Sequence, residues 1–335
     1  MRVLYAIQGT GNGHLSRALD LVPLLQKRCQ VDILVSGCQA DLALPFEVKY
    51  RCHGLSFIFG KKGGVNFVKT FAQLQTKMFY EQVRDLPVED YDLVISDFEP
   101  ISAWACYFKK KPCVALSHQS AVLDPKAPQP KKDDYLGRFI LKNYAPATAH
   151  YGFHFERFSK NTFTPVIRSQ VRELEPTNQG HYTVYLPAYE DEVLLKKLSF
   201  FQEVKWEVFS KHNQFPIRQG NINIKPINNE QFVQSMASSA GVLCGAGFET
   251  PAEALYLQKK LLVVPMKRQY EQHCNAAALA AMGVPVIKSL KSKHLPTIAE
   301  WLAHGQVVPV HYPNETEQII DLVLETHAVP AVVHP

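Results

Sequence analysis

A glycine turn between a strand pattern and a helix pattern constrains this chain more than any other feature. Residues 245–250 read G-A-G-F-E-T; the apolar run 240–244 precedes them and Glu253 lies one turn into the helix that follows. The first N–H groups of a helix are free and its dipole favours negative charge, so the pattern predicts an anion site. We expect a diphosphate on Gly245, Ala246, Gly247, Phe248, Glu249 and Thr250.

Other polar residues follow strands at the same end of the predicted sheet. Glu271 and Gln272 come shortly after the apolar run 261–264. Ligands of open α/β sheets bind at the carboxyl ends of the strands, so this pair belongs to the same rim as the glycine turn. With Glu253 on the ribose hydroxyls and Glu271 and Gln272 near a sugar, the pattern predicts a sugar-nucleotide site. The alternative for Glu253 is a first-turn acid that only complements the helix dipole.

A second glycine turn lies near the N-terminus. The apolar run 3–7 ends in Q-G-T-G-N-G-H, and apolar residues then recur at helical spacing. The spacing of Gly9 and Gly11 also suits a dinucleotide fingerprint, but His14 stands at its third glycine position and Ser36 replaces the expected acid. NAD binding is therefore disfavoured. The remaining alternative is a tight connection that uses glycine for its conformational freedom.

His14 is the predicted general base, because a histidine at a helix start on a sheet rim can accept a proton from a hydroxyl. Asp97 ends the apolar run 93–96 at the same rim, where it either orients His14 or acts as the base itself. A helix-capping role for Asp97 stays open. Gly11, Asn12 and Gly13 precede His14 in the same turn. His118 ends another strand pattern at this rim, where it either binds the substrate that carries the hydroxyl or is a histidine satisfied by backbone groups.

Alternating strand and helix signals predict an α/β fold of two doubly wound, Rossmann-like parallel sheets that face a cleft. At 335 residues the chain exceeds one ordinary core. We expect a first domain over residues 1–165, a second over 166–320, and a tail of 321–335 that packs back towards the first.

Composition excludes several classes of protein. A net charge of +5 is too small for a nucleic-acid groove, and the seven cysteines include no C-x-x-C pair, which favours reduced thiols in the cytoplasm. No apolar run is long enough to span a bilayer, so a cytoplasmic protein, or one peripheral at the inner face of the membrane, is expected. Histidines and cysteines lack metal-ligand spacing, and residues 90–92, D-Y-D, precede their strand. No metal and no cofactor are expected.

These motifs resemble the GT-B glycosyltransferases, particularly the group that adds N-acetylglucosamine to the lipid-linked peptidoglycan precursor. The N-terminal turn with His14, the donor turn with Glu253, and the stretch from Gln272 to Asn275 and Ala276 carry the resemblance. The resemblance implies that Gly11, Asn12 and Gly13, with His118, lie on the side of the acceptor substrate. It also places Ile227 where the family's backbone pairs with uracil. G-T-G-x-G-H and G-x-G-F-E-T are more similar still to an uncharacterised branch of predicted glycosyltransferases.

The resemblance implies an inverting transferase that uses a nucleotide-diphosphate sugar, UDP-linked, and a hydroxyl acceptor such as a lipid-linked or cell-envelope glycan. Phe67, Phe71, Leu74 and Met78 share one face of a basic predicted helix, which suits an anionic membrane or, alternatively, simple packing on the sheet. Two other functions stay open. One is a sugar-nucleotide 2-epimerase of the same fold, and the other is a non-catalytic sugar-nucleotide-binding protein.

Overall fold

The computed structural model describes residues 1–10, 12–37, 44–54, 59–60, 64–65, 76–131 and 134–327, with 59–60, 64–65 and 76 as backbone alone. Gly11 and most of the predicted helix around Phe67 to Leu74 lie outside the described residues. The described part of the chain forms two sheets rich in parallel strands, with helices packed around them. The α/β class and the two-sheet architecture expected from the sequence are confirmed.

The first sheet has seven strands in the order β3-β2-β1-β6-β7-β8-β9, and all its pairings are parallel. Its strands are β1 Arg2–Gln8, β2 Gln30–Ser36, β3 Tyr50–Cys52, β6 Leu93–Asp97, β7 Cys113–Leu116, β8 Ala149–Phe153 and β9 Thr162–Phe163. A separate antiparallel pair joins β4 Phe59–Gly60 and β5 Gly64–Val65. The helices of this half are Asn12–Gln26, Thr76–Asp85, Pro100–Phe108, His118–Val122 and Tyr135–Asn143, with a 3₁₀ turn at Val88–Asp90.

The second sheet has six strands in the order β12-β13-β11-β10-β14-β15. Its strands are β10 His181–Tyr185, β11 Lys205–Ser210, β12 Ile217–Gln219, β13 Ile222–Pro226, β14 Gly241–Gly245 and β15 Lys260–Val264, of which only the edge strand β12 is antiparallel. The helices that follow the first half are Ser169–Arg172, Asp191–Leu198, Asn229–Ser238, Glu249–Tyr256, Tyr270–Ala281, Leu295–His304 and Thr316–His327, with a 3₁₀ turn at Ser292–His294.

The largest hydrophobic cluster contains residues of both sheets. It runs from Tyr5 and Ile95 in the first sheet to Val242 and Val263 in the second, all of them almost completely buried. Smaller clusters cover the other face of each sheet. Apolar packing is therefore continuous from one sheet to the other.

The C-terminal helix Thr316–His327 contacts the first half of the chain. Asp321 accepts a hydrogen bond from Arg28 at 3.1 Å, and Tyr151 lies 2.9 Å from the Nε2 atom of His327. Residues 321–327 therefore lie against the first sheet's layer. The expected tail of 321–335 stays a prediction, and 328–335 lie outside the described residues. The domain bounds 1–165 and 166–320 stay a prediction.

Candidate functional site

The first glycine turn brings His14 to the rim of the first sheet. Gly9 lies so close to β2 that its N–H donates to Ser36 O at 2.6 Å and a Cβ atom would stand 2.9 Å from that oxygen. The chain then enters helix Asn12–Gln26, in which His14 is the third residue. The side chain of His14 is 13% exposed and lines a cavity.

Asp97 is the last residue of β6, which pairs with β1 in a register that puts Ile7 beside it. The Asp97 carboxylate is fully buried and lies 2.8 Å from His14 Nδ1. It does not cap the next helix, because Glu99 accepts the hydrogen bonds from Ile101 N and Ser102 N at 2.7 and 2.6 Å. Glu99, not Asp97, therefore caps this helix. Asp97 binds His14 instead.

This pairing decides which nitrogen of His14 can act. Neutral His14 donates from Nδ1 to Asp97, so Nε2 carries the lone pair. The side-chain amide nitrogen of Gln119 lies 3.4 Å from Nε2 and can donate to it, so a substrate hydroxyl would have to displace this long contact. Burial lowers the pKa of His14, but the Asp97 carboxylate outweighs it and holds the pKa above the ordinary value of 6.5. The pair has the geometry and charge of a general base with its orienting carboxylate.

Arg17 completes the cluster and was missed at the level of sequence. Its guanidinium is buried and donates to both oxygens of Asp97 at 2.7 and 2.8 Å. It also donates to Glu249 Oε1, in the second half of the chain, at 2.8 Å. The available signal was its place three residues after His14, on the same face of the helix.

The second glycine turn presents a helix start that no side chain caps. β14 ends at Gly245, and helix Glu249–Tyr256 begins after Phe248, which makes no side-chain capping bond. Apart from its two chain neighbours, no heavy atom of the described residues lies within 4 Å of the place where a Cβ atom of Gly247 would stand. Free N–H groups and open space over Gly247 make this turn fit for an anionic ligand.

A cleft of about 350 Å³ opens at this turn and contains several of the predicted donor residues. It is lined from the first half by Asn12, Gly13 and Ser16, and from the rest of the chain by Arg168, Tyr185, Pro187, Lys211, Ile227, Asn229, Phe232, Gly247, Phe248, Glu249, Thr250 and Glu253. Ile227 lies directly after β13, and its N–H already donates to Ser210 O at 2.9 Å. Only the carbonyl of Ile227 is therefore open to the pairing implied by the resemblance.

Glu253 is held by an arginine that the sequence did not indicate. Arg168, from the segment between the sheets, donates to its two carboxylate oxygens at 2.6 and 2.7 Å. Arg168 also donates to Asn229 Oδ1 at 2.6 Å, and the Glu253 side chain is 3% exposed. The ribose role stays a prediction. A ribose hydroxyl would have to bind a carboxylate oxygen that already accepts from Arg168.

The predicted sugar-side residues separate in the structure. Glu271 accepts from Gln119 at 3.0 Å and lines a second cavity of about 140 Å³ together with His14, Phe98 and Tyr144. Gln272 instead accepts from Met266 N at 2.9 Å. It lies beside Gly245, where a Cβ atom would stand 3.8 Å from its amide oxygen.

His118 lies in the packing between the two halves. Its Nδ1 is 2.8 Å from Phe153 O, its Nε2 is 2.7 Å from Asn275 Oδ1, and its ring stacks on Phe248 with centroids 3.8 Å apart. The residue is 1% exposed, so neither ring nitrogen is open to an acceptor. This is a correction to the acceptor-side placement of His118. Asn275 is its partner from the second half.

The described ranges contain neither a metal-binding cluster nor a membrane-spanning helix. No group of three or more histidine, cysteine or acidic side chains there could hold a metal ion. None of the helices in the described part of the chain is both long enough and apolar enough to cross a membrane.

The family follows from comparison with known proteins. A family model described as Glycosyl transferase family 1 matches residues 1–304. The chain belongs to this family. No curated protein matches this chain.

Solved structures of glycosyltransferases share the fold over nearly the whole chain. MurG of Acinetobacter baumannii is similar with a TM-score of 0.55 at 16% identity, covering 97% of this chain and 99% of that one. SsfS6 of Streptomyces sp. SF2575, solved with thymidine diphosphate, gives 0.57 at 14% identity, covering 96% and 99%. UGT2 of Phytolacca americana, solved with UDP-2-fluoro-glucose and pterostilbene, gives 0.54 at 12%, covering 97% and 94%. The fold is therefore GT-B, as the sequence resemblance implied.

Proposed function

We propose that this family 1 glycosyltransferase is an inverting, metal-independent enzyme that moves a sugar from a UDP-linked donor to a hydroxyl acceptor. The observation that carries the proposal is the approach of two helix starts. The uncapped start with open space over Gly247 shares its cleft with Asn12 and Gly13, and the next residue, His14, pairs with Asp97 and lines the neighbouring cavity. Neighbours solved with thymidine diphosphate and with a UDP-sugar support a nucleotide-diphosphate donor.

The residues suit a single displacement. The acceptor hydroxyl attacks the anomeric carbon and gives its proton to His14 Nε2, and the bond from that carbon to the diphosphate oxygen breaks on the opposite face. Asp97 stabilises the imidazolium that forms, while the N–H groups at the start of helix Glu249–Tyr256 receive the charge on the departing diphosphate. Attack from the opposite face inverts the configuration, and this scheme has no step for a metal ion.

Replacement of Gly247 by alanine tests the donor site. The free protein has room for the methyl group and Gly247 has no positive φ, so the variant should melt at the wild-type temperature. A phosphate seated on the turn would meet the methyl group, so the affinity for UDP should fall about tenfold, or about 1.4 kcal/mol. Calorimetric titration measures this change, and uridine, which lacks phosphates, is the control ligand. Unchanged UDP binding would remove the diphosphate from this turn.

Product analysis separates the three functions. UDP release that requires an added acceptor and continues in the presence of a chelator supports metal-independent transfer. Interconversion of donor sugars without an acceptor supports the 2-epimerase instead. Donor binding with neither reaction supports the non-catalytic protein.

We further propose that the acceptor is lipid-linked and that the enzyme meets it at an anionic membrane surface on the cytoplasmic side. Helix Tyr135–Asn143 supports this: three of its large apolar side chains are more than half exposed, namely Tyr135, Leu136 and Phe139. Arg138 and Lys142 flank them. The inner face of this helix lines the His14 cavity with Ile140 and Leu141. An acceptor anchored in lipid would thus reach the base from the membrane side.

Vesicle sedimentation tests the membrane contact. The wild-type protein should sediment with vesicles of phosphatidylglycerol and phosphatidylcholine at low salt, but not with phosphatidylcholine alone. Phe139→Ser should reduce the bound fraction several-fold. Phe215→Ser is the matched control, because Phe215 is 76% exposed in the second half of the chain. Equal losses in both variants, or no binding by the wild type, would contradict the membrane contact.

A further inference from the structure

One guanidinium joins the proposed base to the proposed donor helix. Arg17 donates to Asp97 through Nη2 and Nε, and through Nη1 to Glu249, the first residue of helix Glu249–Tyr256. The Arg17 side chain is 2% exposed, whereas that of Glu249 is 24% exposed and reaches the cleft. Arg17 is thus the only residue of this cluster that touches both the carboxylate behind His14 and the donor turn.

Glu249 has a defined seat in this contact. Its carboxylate lies over Gly13, where a Cβ atom would stand 2.6 Å from Glu249 Oε2. The absence of a side chain at Gly13 is what allows the carboxylate to approach Arg17. This contact bridges the starts of the two helices that follow the glycine turns. A shift of the donor helix would therefore change the distance between the Glu249 carboxylate and the Arg17 guanidinium.

The distance between Glu249 and Arg17 affects the electrostatic environment of His14. Arg17 Nη2 lies 3.2 Å from His14 Nδ1, and because both groups are donors they compete for Asp97 instead of bonding to each other. Beside the larger effects of burial and Asp97, Arg17 lowers the pKa of His14 and Glu249 raises it.

The other groups that face His14 leave this balance in place. Gln119 lies at Nε2 and is itself bonded to Glu271. Tyr5 lies beside Asp97 with a pKa raised by burial, so it is neutral. Phe98 stacks at 6.4 Å. Arg268 and Glu271, which follow the donor helix in the chain, line the same cavity as His14. Arg17 and Glu249 are the two charges that connect Asp97, the partner of His14, with the start of the donor helix.

We propose that Arg17 is a positioning residue that couples the donor helix to the base: His14 is the stronger base when Glu249 neutralises Arg17, and the weaker base when Glu249 withdraws. This proposal rests on the proposed function only in calling His14 the base and helix Glu249–Tyr256 the donor helix. The charge link itself is a property of the free protein. It links the basicity of His14 to the position of the helix that would bind the diphosphate.

The test is the titration of His14 by NMR in the free protein with labelled histidine. Glu249→Gln should lower the pKa of His14 and Arg17→Gln should raise it, each by roughly 0.5 to 1.5 pH units. Arg17→Lys, which keeps the charge, should return the value towards wild type. A shift of the pKa of His14 in the same direction in both single variants, or in neither, would mean that the charge of Glu249 does not act on His14 through Arg17. That outcome would overturn the proposal.

Two precautions keep the test decisive. Arg17→Gln leaves Asp97 with a buried charge, and if this variant does not fold, Glu249→Gln and Glu249→Ala carry the test, since both must lower the pKa of His14. Glu230→Gln is the matched control, because Glu230 is an exposed first-turn acid of helix Asn229–Ser238 in the same half. It should leave the pKa of His14 unchanged.

Turnover separates this inference from the proposed function. If the pKa of His14 shifts as expected but no sugar is transferred, the charge link stands and the transferase proposal fails. If transfer occurs but the acid limb of the kcat profile is the same in Glu249→Gln and wild type, the link fails and the transferase proposal stands. With the link intact, the acid limb of Glu249→Gln lies at lower pH, because a weaker base is deprotonated earlier.

Discussion

Each half of the molecule contains a buried arginine bound to a buried carboxylate, yet the two pairs differ in what else the carboxylate touches. Arg17 holds Asp97, which also binds His14 at 2.8 Å. Arg168 holds Glu253, and the further partner there is the neutral amide of Asn229, which binds the arginine. The first pair thus has a titrating neighbour at the cleft, and the second has none among its described contacts.

The difference shows how one interaction type serves two purposes. A buried ion pair gains little net stability, because desolvation offsets the attraction, but breaking it by removing one partner is costly. In the first half this rigid pair holds a carboxylate against a histidine. In the second half it ties the segment between the sheets to the donor helix. We therefore expect substitutions in the first pair to change the reaction rate as well as stability, and substitutions in the second to change stability alone.

The largest expected effect is that of Asp97→Asn on the rate. Asparagine cannot stabilise an imidazolium and does not fix the tautomer that leaves Nε2 free. We expect kcat to fall by about 10²- to 10⁴-fold, the usual contribution of a positioned general base. Initial-rate measurements at saturating donor and acceptor give the value, and UDP affinity should stay near that of the wild type.

Asp92→Asn is the matched control, because Asp92 precedes the opposite end of the same strand and accepts from the Arg2 N–H at 2.6 Å. It should keep kcat within about threefold. If Asp97→Asn also keeps its rate, the first pair is structural like the second and the comparison fails.

Much of this architecture could be predicted from the sequence. The strand patterns at 3–7, 93–96 and 261–264 became β1, β6 and β15, because each is a continuous apolar run. Strands β8 and β13 were missed, since A-H-Y-G-F and I-N-I-K-P lack such a run. Their pairing is decided by neighbouring strands, which a local pattern does not reveal.

The site was predicted in part, and for a physical reason. His14 and Asp97 were found because both follow strand patterns, and parallel strands bring such positions to one rim. Arg17 and Arg168 were not found, because their partners lie 80 and 85 residues away. A charged residue inside a helix or a linker is usually solvated, so its burial is apparent only from the tertiary structure.

A smaller effect is expected from breaking the second pair. Glu253→Gln leaves the buried Arg168 without a charge partner, so the free energy of unfolding should fall by about 3 to 5 kcal/mol. Arg168→Gln should lower it similarly, and the double variant should lose less than the sum of the two, because neither charge is then left alone. Urea denaturation of the free protein measures all three values.

Glu175→Gln is the control, since Glu175 is exposed in the same linker region as Arg168 and should cost less than about 0.5 kcal/mol. The result bears on the role of Glu253 as well as on the stability of the protein. A loss below about 1 kcal/mol in Glu253→Gln, together with weaker UDP binding, would mean that the carboxylate is not committed to Arg168. The sequence prediction of a ribose ligand would then be favoured, and both carboxylates would serve the reaction.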